Sequence, residues 1–344
     1  MSSLGIIGGG QLGMFLCQAA KDLGINTSVL SETEEFSAKS FCDKFFVGKF
    51  SDSKILNDFI NSADNFTIET ENIPFTILEK IASKKKIFPD PEIVKICQNR
   101  LREKKFLNSL NNIKTAKFFE INNHEELKKN LKLINNNGIL KTSEFGYDGK
   151  GQYKILNGQI SELESLNLKS FILEEILDFE KEISVIVCRK NKKIETYPAV
   201  ENIHKNSILR ETIFPANISD EVRKNANKIA TQIANHINLN GILAIEMFLM
   251  KDKSILINEL APRPHNSGHW SIDYCEISQF HNLLNTIFFE SPKSPNPISS
   301  CKMVNVIGDE FLKKDALKKK FKFYDYLKKK IKSERKMGHY TFKI

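Results

Sequence analysis

The chain has 344 residues, of which 41% are hydrophobic and 27% are charged, and its formal net charge is +9. These proportions are typical of a globular protein of roughly two to three domains, and they exclude a disordered, collagen-like or coiled-coil chain. No run of 18 apolar residues predicts a membrane span, and the N-terminal segment lacks the basic leader of a signal peptide. Six scattered cysteines without a CxxC pair favour a reducing, cytoplasmic location.

The positive charge does not by itself predict a nucleic-acid partner. Only seven of the 51 basic residues are arginines, and the lysines are spread along the whole chain. The densest basic runs, at 84–86 and 318–320, have no interleaved aromatic residues on which bases could stack. We therefore expect small-molecule substrates, and neither a nucleic acid nor a membrane as a partner.

Strand and helix signals alternate through residues 1–98. The short apolar segments LGIIG, INTSVL and NFTIET read as strands, with helical spacing over 11–23 and in ILNDFI between them. This alternation with short links predicts parallel βαβ units with helices on both faces of the sheet.

The pattern changes after this first domain. Residues 99–178 contain short strands (GILK, QYKIL, SFILEE) among helices, which is typical of a smaller α+β unit. Residues 179–290 contain the long strands EISVIVCR and GILAIEMFLM and then a helix near 276–289. A proline-rich linker at 291–297 predicts a small C-terminal domain over 291–344. The predicted fold class is therefore α/β and α+β.

A G-x-G-x-x-G pattern, from Gly8 to Gly13, follows the first strand and opens the first helix. Glycines at these positions permit a tight turn and the close approach of an anion to a helix N-terminus. With Glu32 or Glu34 as the ribose-binding acid, the pattern fits a nicotinamide-dependent dehydrogenase. Any crowded strand–helix turn also selects glycine, so both interpretations stay open.

The loop EFGYDGKGQ, residues 144–152, joins the strands GILK and QYKIL. A glycine-rich loop can lay backbone N–H groups over phosphates without bulky side chains nearby. Lys141, at the end of the preceding strand, is placed to reach the same phosphates. An ordinary hairpin needs only one Asp-Gly turn, so phosphate contact is the favoured interpretation.

Glu246 and Glu259 each lie in an apolar strand. If the strands form a hairpin with Asp252-Lys253 as its loop, facing residues have numbers that sum to 505, and the two carboxylates lie side by side. Two such carboxylates repel each other and are costly to bury. A divalent cation offsets this cost, and Mg²⁺ that bridges the carboxylates to phosphates is the common case. The alternative is two solvated carboxylates on an exposed face.

The segment that follows, APRPHNSGHW from Ala261 to Trp270, offers an arginine, two histidines, an asparagine and a serine. Its prolines force an extended path, and its polar residues suit an anion or polar substrate beside the metal. His265 and His269 would form a zinc pair on a helix, but Pro264 and Gly268 disfavour a helix here.

Together, GGGQLG, FGYDGKGQY, the two strand glutamates and NELAPRPHNSGHW resemble the 5-(carboxyamino)imidazole ribonucleotide synthetase family of the ATP-grasp superfamily. The resemblance implies an ATP-grasp fold with an N-terminal βαβ pre-ATP-grasp domain and a small C-terminal domain. It also implies a homodimer in purine biosynthesis that joins bicarbonate to the amine of aminoimidazole ribonucleotide while ATP is cleaved to ADP and phosphate.

The resemblance assigns roles to residues at matching motif positions. It implies catalytic roles for Lys141, Arg263 and His265, and Mg²⁺ ligation (with Mn²⁺ as an alternative) by Glu246 and Glu259. Residues implied to bind ATP are Arg100, Lys141, Gly146, Tyr147, Asp148, Gly149, Lys150, Gly151, Gln152, Glu174, Glu175, Ile176, Leu177, Glu182, His204, Asn258 and Glu259. Residues implied to contact the ribotide are Gln11, Asn266, Ser267, His269, Arg335 and Lys336.

The implied mechanism has two stages. Bicarbonate attacks the γ-phosphate of ATP, and the resulting carboxyphosphate, or carbon dioxide released from it, is captured by the amine beneath the 146–152 lid. Two alternatives are another ATP-grasp ligase acting on a ribotide, of the formate-dependent transformylase type, and the dehydrogenase. Met14 stands where the family usually has an arginine, which puts an anion contact there in question.

Overall fold

The computed structural model describes residues 2–144 and 151–344, and it contains three β-sheets. The predicted loop residues Gly146, Tyr147, Asp148, Gly149 and Lys150 lie outside the described residues. We refer to the three sheets as the N-terminal sheet, the small sheet and the large sheet. Within the described part of the chain, no helix is both long and apolar enough to cross a membrane.

The N-terminal sheet is parallel, as the alternating pattern predicts. Its strands are β1 (Ser3–Ile7), β2 (Asn26–Ser31), β3 (Lys44–Val47), β4 (Asn65–Ile68) and β5 (Lys86–Phe88), in the order β3-β2-β1-β4-β5. Its helices are α1 (Gln11–Asp22), α2 (Ser53–Asn61), α3 (Phe75–Ala82) and α4 (Pro91–Cys97). The chain leaves β1 toward one edge and returns at β4, so the carboxyl ends of these two strands flank a crevice.

The small sheet has four antiparallel strands, which come from the middle section of the chain. They are β6 (Phe118–Ile121), β7 (Gly138–Thr142), β8 (Gln152–Ile155) and β9 (Phe171–Glu175), in the order β6-β9-β7-β8. Helix α5 (Arg100–Ser109) precedes the sheet, and α6 (His124–Lys132) lies between its first two strands. The Asn99 and Asn123 side chains cap α5 and α6 by accepting backbone N–H bonds, which explains where both helices begin.

The large sheet has nine strands and includes the C-terminal segment. They are β10 (Phe179–Lys190), β11 (Lys193–Thr196), β12 (Val200–Lys205), β13 (Ile208–Phe214), β14 (Gly241–Met250), β15 (Ile255–Ala261), β16 (Cys301–Ile307), β17 (Lys322–Asp325) and β18 (Lys336–Lys343). The order is β15-β14-β10-β12-β13-β16-β18-β17, and β11 pairs with β10. The accompanying helices are α7 (Asp220–His236), α8 (Ser271–Tyr274), α9 (Gln279–Phe288) and α10 (Lys314–Lys320).

Helices cover both faces of the large sheet. On one face, buried residues of β10 and β14 pack with α7, for example Val185 with Ile233 in one apolar cluster. On the other face, α9 meets α1 of the N-terminal sheet, where the Phe15 and Phe280 rings lie 5.2 Å apart. The N-terminal sheet is therefore joined to the large sheet through an apolar core rather than through a polar contact alone.

The β14–β15 hairpin places Glu246 opposite Glu259 as predicted, but by a different route. The loop has three residues, with Lys253 at φ 68, so near the turn the facing residues sum to 504 instead of 505. A β-bulge at Asn258 then shifts the register by one residue and pairs Glu246 with Glu259. The predicted two-residue loop is therefore wrong, and the bulge restores the predicted pairing.

Candidate active site

Two carboxylates face each other on the strands β14 and β15 of the large sheet. Glu246 pairs directly with Glu259 across the bulge. The residue Glu246 is buried, whereas Glu259 is exposed. One carboxylate is thus held within the protein while its neighbour opens to solvent, which leaves the pair accessible to a cation.

The electrostatics of this pair favour a bound cation. Burial, followed by the negative charge of Glu259, raises the pKa of Glu246 to about 7. Mg²⁺ commonly binds through one or two carboxylates together with substrate phosphates, so the two residues fit it in charge and in number. Among the described residues, no three His, Cys, Asp or Glu side chains converge as a metal site.

His265 lies directly beside the first carboxylate, with its Nε2 3.1 Å from Glu246 Oε1. Burial, then the positive charge of Arg263, lowers the pKa of His265 well below its usual range, so the ring is neutral. The backbone N–H of Ser267 donates to Nδ1 at 3.3 Å, which leaves the ring proton on Nε2. The imidazole therefore donates toward Glu246.

A chain of buried polar side chains extends behind His265. Ser267 Oγ lies 2.8 Å from Nδ1 of His265, and Ser184 donates to Ser267 Oγ at 2.9 Å. Asn202 donates to Ser184 and accepts from Thr212, which extends the chain across β10, β12 and β13. Such a satisfied network fixes the orientation of the ring.

Three residues predicted to contact the ribotide are buried instead. Ser267 belongs to the chain behind His265, and the Asn266 amide exchanges hydrogen bonds with that of Asn305. His269 is fully buried, with its ring 5.2 Å from Phe15 and 5.0 Å from His339. The 3-10 turn Asn266–Gly268 directs the chain inward, so all three side chains are buried, and their contact with the ribotide stays a prediction.

Arg263 is held by a carboxylate from the N-terminal sheet. Its Nε and Nη2 donate to the two oxygens of Glu71, at 3.0 Å for Nη2, and its Nη1 donates to the Pro264 carbonyl at 3.2 Å. Although burial opposes it, the Arg263 charge lowers the pKa of Glu71. The pair orients the guanidinium fork and ties two sheets together.

Two lysines share one buried carboxylate at the junction of the small and large sheets. Glu174 Oε2 lies 3.1 Å from Lys141 Nζ and 3.4 Å from Lys104 Nζ. Burial would raise the pKa of Glu174, but the charges of Lys104 and then Lys141 lower it. Gln152 lies opposite Lys141 in the β7–β8 pair. Lys141 thus stands at a strand end beside the described edge of the glycine-rich loop.

The remaining predicted ATP residues lie around this junction. Arg100 donates from Nη1 to the Thr142 carbonyl at 2.9 Å, and Gly151 has a positive φ of 68° at the start of the described chain after the loop. Glu175 accepts the backbone N–H of Lys117 at 2.7 Å. Ile176 and Leu177 form the half-buried link from the small sheet to the large sheet.

Glu182 and His204 face each other on neighbouring strands of the large sheet. Glu182 Oε2 lies 2.8 Å from His204 Nδ1. Burial would lower the pKa of His204, but Glu182 and then Glu246 raise it. The pair therefore connects the predicted ribose-binding carboxylate electrostatically to Glu246, the buried member of the predicted metal pair.

The glycine-rich turn holds a carboxylate of the protein itself. Glu69, directly after β4, accepts the backbone N–H groups of Gly10 and Gly13 at 2.5 and 2.9 Å. A Cβ at Gly10 would lie 2.7 Å from Glu69, so this glycine makes room for the side chain. Since Glu69 occupies the helix N-terminus, a dinucleotide pyrophosphate would have to displace it. Glu32 likewise bonds the Phe50 N–H, so the dehydrogenase alternative loses its support.

A cavity of about 470 Å³ lies in front of this turn. Its lining combines the turn Gly8–Gly10, Glu69 and the C-terminal cations Lys328, Lys329, Lys330 and Arg335. The predicted phosphate contact Arg335 therefore lies at the carboxyl ends of β1 and β4. This is the crevice in which ligands of open α/β sheets bind.

Three other predicted residues lie close to these features. Lys336 begins β18 and pairs with Ile307 of β16, and its charge partly opposes the rise in the pKa of Glu246 that burial and Glu259 cause. Gln11 is the first residue of α1, beside the lining glycines. Met14 is buried in the apolar core, which explains how α1 tolerates an apolar side chain where the family has an arginine.

The site therefore contains four groups that sequence reasoning missed. These are Glu69, Glu71, Glu103 and Lys104. The first two follow a strand that ends at the crevice, and this position is a usable signal for a binding site. The last two lie in a charged helix whose sequence, RLREKKFLNS, does not indicate which charges are buried.

Comparison with protein families gives consecutive matches along the chain. A ribonucleotide synthetase preATP-grasp domain matches residues 1–98, and an ATP-grasp domain matches residues 106–280. A phosphoribosylaminoimidazole carboxylase C-terminal domain matches residues 301–343.

Individual proteins are similar over nearly the whole chain. The chain is 36% identical to the N5-carboxyaminoimidazole ribonucleotide synthase of Bacillus subtilis, with 98% of this chain and 90% of that one covered. The Staphylococcus aureus N5-carboxyaminoimidazole synthetase complexed with ADP is 32% identical, with a TM-score of 0.93 and coverage of 100% and 93%. The Aspergillus clavatus synthase in complex with ADP and 5-aminoimidazole ribonucleotide is 30% identical, with a TM-score of 0.92 and coverage of 100% and 94%.

These similarities confirm the resemblance that the motifs indicated and the fold that it implied. They extend across all three sheets and reach both the paired carboxylates and the glycine-rich turn. The chain belongs to the N5-carboxyaminoimidazole ribonucleotide synthase family of ATP-grasp enzymes.

Proposed function

We propose that this chain is an ATP-dependent ligase that carboxylates 5-aminoimidazole ribonucleotide with bicarbonate in purine biosynthesis. The observation that carries this function is the opposed pair Glu246 and Glu259, with His265 3.1 Å from Glu246 and Arg263 four residues after Glu259 in the chain. An acidic pair with one buried member, near an oriented arginine, suits transfer of a phosphoryl group to a small anion. Family membership supplies the ribotide and ATP as the substrates.

Glu246 and Glu259 would hold Mg²⁺, or Mn²⁺ in its place. When bound there, the ion would neutralise negative charge on the nucleotide phosphates. The chain's part is to keep both carboxylates facing each other, and His265 donates to the buried one from Nε2. Asn258, the bulged residue of β15, directly precedes Glu259 and belongs to the same proposed site.

The nucleotide would lie between the small and large sheets. Lys141 and Arg100 are the proposed phosphate contacts, Glu174 to Leu177 would present backbone groups to adenine, and Glu182 with His204 would meet the ribose. These assignments are supported by the shared location of the residues, because they lie on or next to β7, β9 and β10, where the small sheet continues into the large sheet. The loop residues Gly146 to Lys150 lie outside the described chain and stay a sequence prediction.

The ribotide would bind in the cavity before the glycine-rich turn. Arg335 and its lysine neighbours supply the positive charge for a phosphate monoester, and an arginine fork suits its geometry. Lys336, which follows Arg335 directly in the chain, is proposed to hold the same phosphate. Bicarbonate would then attack the γ-phosphate near Arg263, and the carboxyl group would pass to the ribotide amine.

Location and assembly complete the proposal. All six cysteines are free thiols, which suits the reducing cytoplasm that the sequence predicts. A homodimer is proposed from the family resemblance and not from a surface of this chain.

The decisive experiment is an ADP-release assay with purified protein, ATP, bicarbonate and 5-aminoimidazole ribonucleotide. We expect ADP release to depend on both the ribotide and bicarbonate, with the N5-carboxyamino product detected by mass. Replacing bicarbonate with formate is the matched control. Turnover with formate and none with bicarbonate would favour the transformylase alternative and overturn this assignment.

A further inference from the structure

The strand that carries Glu259 is an edge of the large sheet. β15 pairs with β14 on one side only, and its outer backbone groups need other partners. The chain before β6 supplies one of them, since the Ile257 N–H donates to the Lys114 carbonyl at 2.8 Å. The next outer groups, on either side of Glu259, are the Asn258 carbonyl and the Leu260 N–H. Both meet side chains of α5.

Glu103, on α5, contacts the Leu260 N–H. Its side chain is buried, and its Oε1 accepts the Leu260 N–H at 2.9 Å. A buried carboxylate this close to another acid is an expensive feature, because Glu103 also lies near the negative charge of Glu259. Its one described hydrogen bond holds the backbone directly after that ligand position.

Lys104, the next residue of α5, contacts the Asn258 carbonyl on the other side of Glu259. It is also buried, and its Nζ lies 3.4 Å from the Asn258 carbonyl and 3.4 Å from Glu174 Oε2. Glu174 in turn binds Lys141 at 3.1 Å. One lysine therefore connects the bulge of β15 to the lysine proposed to contact the nucleotide phosphates.

These contacts bracket the feature on which the metal pair depends. Without the bulge, the 504 register near the turn would place Asn258 opposite Glu246, and Glu259 would face the other side of the sheet. We propose that Glu103 and Lys104 are positioning residues that hold the bulge of β15 so that Glu259 faces Glu246. This inference rests on the proposed function, because it assumes that the pair binds a divalent cation.

The experiment measures Mn²⁺ binding by electron paramagnetic resonance, in the presence of ADP, for folded full-length variants. Glu103→Gln keeps an oxygen acceptor for the Leu260 N–H and is expected to bind Mn²⁺ like the wild type. Glu103→Met removes the acceptor, and Glu103→Asp is too short to reach it. Both are expected to weaken Mn²⁺ binding by about tenfold or more, the usual effect of losing a group that orients a metal ligand.

Adjacent lysines provide a matched control. Lys104→Met removes the contact with Asn258, whereas Lys105→Met changes an exposed side chain that pairs with Glu120 at 3.1 Å. We expect weaker Mn²⁺ binding for the first variant and an unchanged affinity for the second. The apparent KM for the ribotide should stay within about twofold of the wild-type value in Lys104→Met, because its cavity lies elsewhere.

Two results would separate the inference from the proposed function. If Glu246→Gln binds Mn²⁺ as tightly as the wild type, the metal pair itself is wrong and the proposal falls with it. If Glu246→Gln loses Mn²⁺ but Glu103→Asp and Lys104→Met keep it, the metal pair stands and only the positioning role is overturned. If Glu103→Met does not fold, the comparison of Mn²⁺ affinity between Glu103→Asp and Glu103→Gln tests the positioning role of Glu103.

Discussion

Two pairs of glutamates lie near the proposed substrates, and their surroundings are opposite. Glu69 and Glu71, after β4, each have complete internal partners, which are two backbone N–H groups and an arginine fork. Glu246 and Glu259 face each other instead, and His265 Nε2 lies 3.1 Å from the buried Glu246. Glu69 and Glu71 follow the end of β4, whereas Glu246 and Glu259 lie within β14 and β15 and face a like charge.

This difference suggests that Glu69 and Glu71 stabilise the structure around the site, whereas Glu246 and Glu259 bind a ligand. At Glu71, the charge of Arg263 lowers the pKa against the effect of burial, whereas at Glu69 burial outweighs the two backbone N–H bonds and raises the pKa. A carboxylate beside a like charge loses stability when it ionises, and a cation would reverse that loss. Substitutions at the first pair should therefore cost stability, whereas substitutions at the second should cost activity.

The largest expected effect is the loss of activity in Glu246→Gln. We expect kcat/KM to fall at least about 100-fold, or roughly 2.7 kcal/mol of transition-state stabilisation, because one charge of the metal pair is removed. ADP release in the presence of bicarbonate and ribotide measures it. Glu211→Gln, at an ion pair with Lys302 elsewhere in the large sheet, is the control and should keep its activity. Near-normal turnover in Glu246→Gln would contradict the metal assignment.

The pH dependence of stability should show the same imbalance. Because the pKa of Glu246 is raised to about 7, the folded state binds a proton that the unfolded state has lost above its pKa of about 4.3. The stabilisation of the folded state by this extra proton is fully present below the pKa of the unfolded state, about 4.3. It is lost as the pH rises through the folded-state pKa of about 7. Between pH 5 and 8, we expect the wild type to lose roughly 2 kcal/mol relative to Glu246→Gln.

Urea denaturation of both proteins at several pH values measures this difference. Other groups titrate in the opposite sense; burial lowers the pKa of His339 to about 3, so its contribution is lost as the pH falls below 6.5. The His339 contribution cancels when the two proteins are compared, because Glu246 is not among the groups that shift its pKa. A difference that does not change with pH would show that Glu246 is ionised throughout.

Glu71→Gln should affect both stability and turnover. Gln cannot form the charged, two-pronged contact with Arg263, so we expect about 1–3 kcal/mol of lost stability. We also expect kcat to fall about tenfold because the arginine is no longer oriented toward the transferring group. Glu92→Gln, which breaks an exposed pair with Lys95, should cost less than about 0.5 kcal/mol. A double-mutant cycle with Arg263→Gln that gives no coupling would contradict the orienting role.

Most of the fold could be predicted from apolar patterns, and the exceptions have a common cause. β10 and β14 are long apolar runs and are confirmed as strands. β12 and β13, VENIHK and ILRETIF, alternate with charged residues because polar groups of the site emerge from them, so no apolar run marks them. Strands that carry functional side chains are thus the hardest to detect from hydrophobicity.

The site was predictable where a motif is contiguous and less so where partners are distant in sequence. Glu246 and Glu259 were found by register, but their pairing depends on a bulge that no sequence rule indicated. Arg263 was identified, whereas its partner Glu71 lies 192 residues away. His269 stands in the same polar segment as His265, and only the turn between them shows that one faces the site and the other the core.

The smallest expected effect is at Glu69, whose two hydrogen bonds lie at the N-terminus of α1. Gln would offer one oxygen, but its amide nitrogen would face the second backbone N–H, and the negative charge at the helix end would be lost. We expect Glu69→Gln to lower the free energy of unfolding by about 1–2 kcal/mol. Its Mn²⁺ affinity in the presence of ADP should stay at the wild-type level, because its partners are internal and the metal pair is untouched. Urea denaturation and Mn²⁺ titration of the same sample test both statements. A Glu69→Gln protein that keeps its stability but loses Mn²⁺ would show that this carboxylate, too, serves the cation, and that internal partners do not distinguish the two pairs.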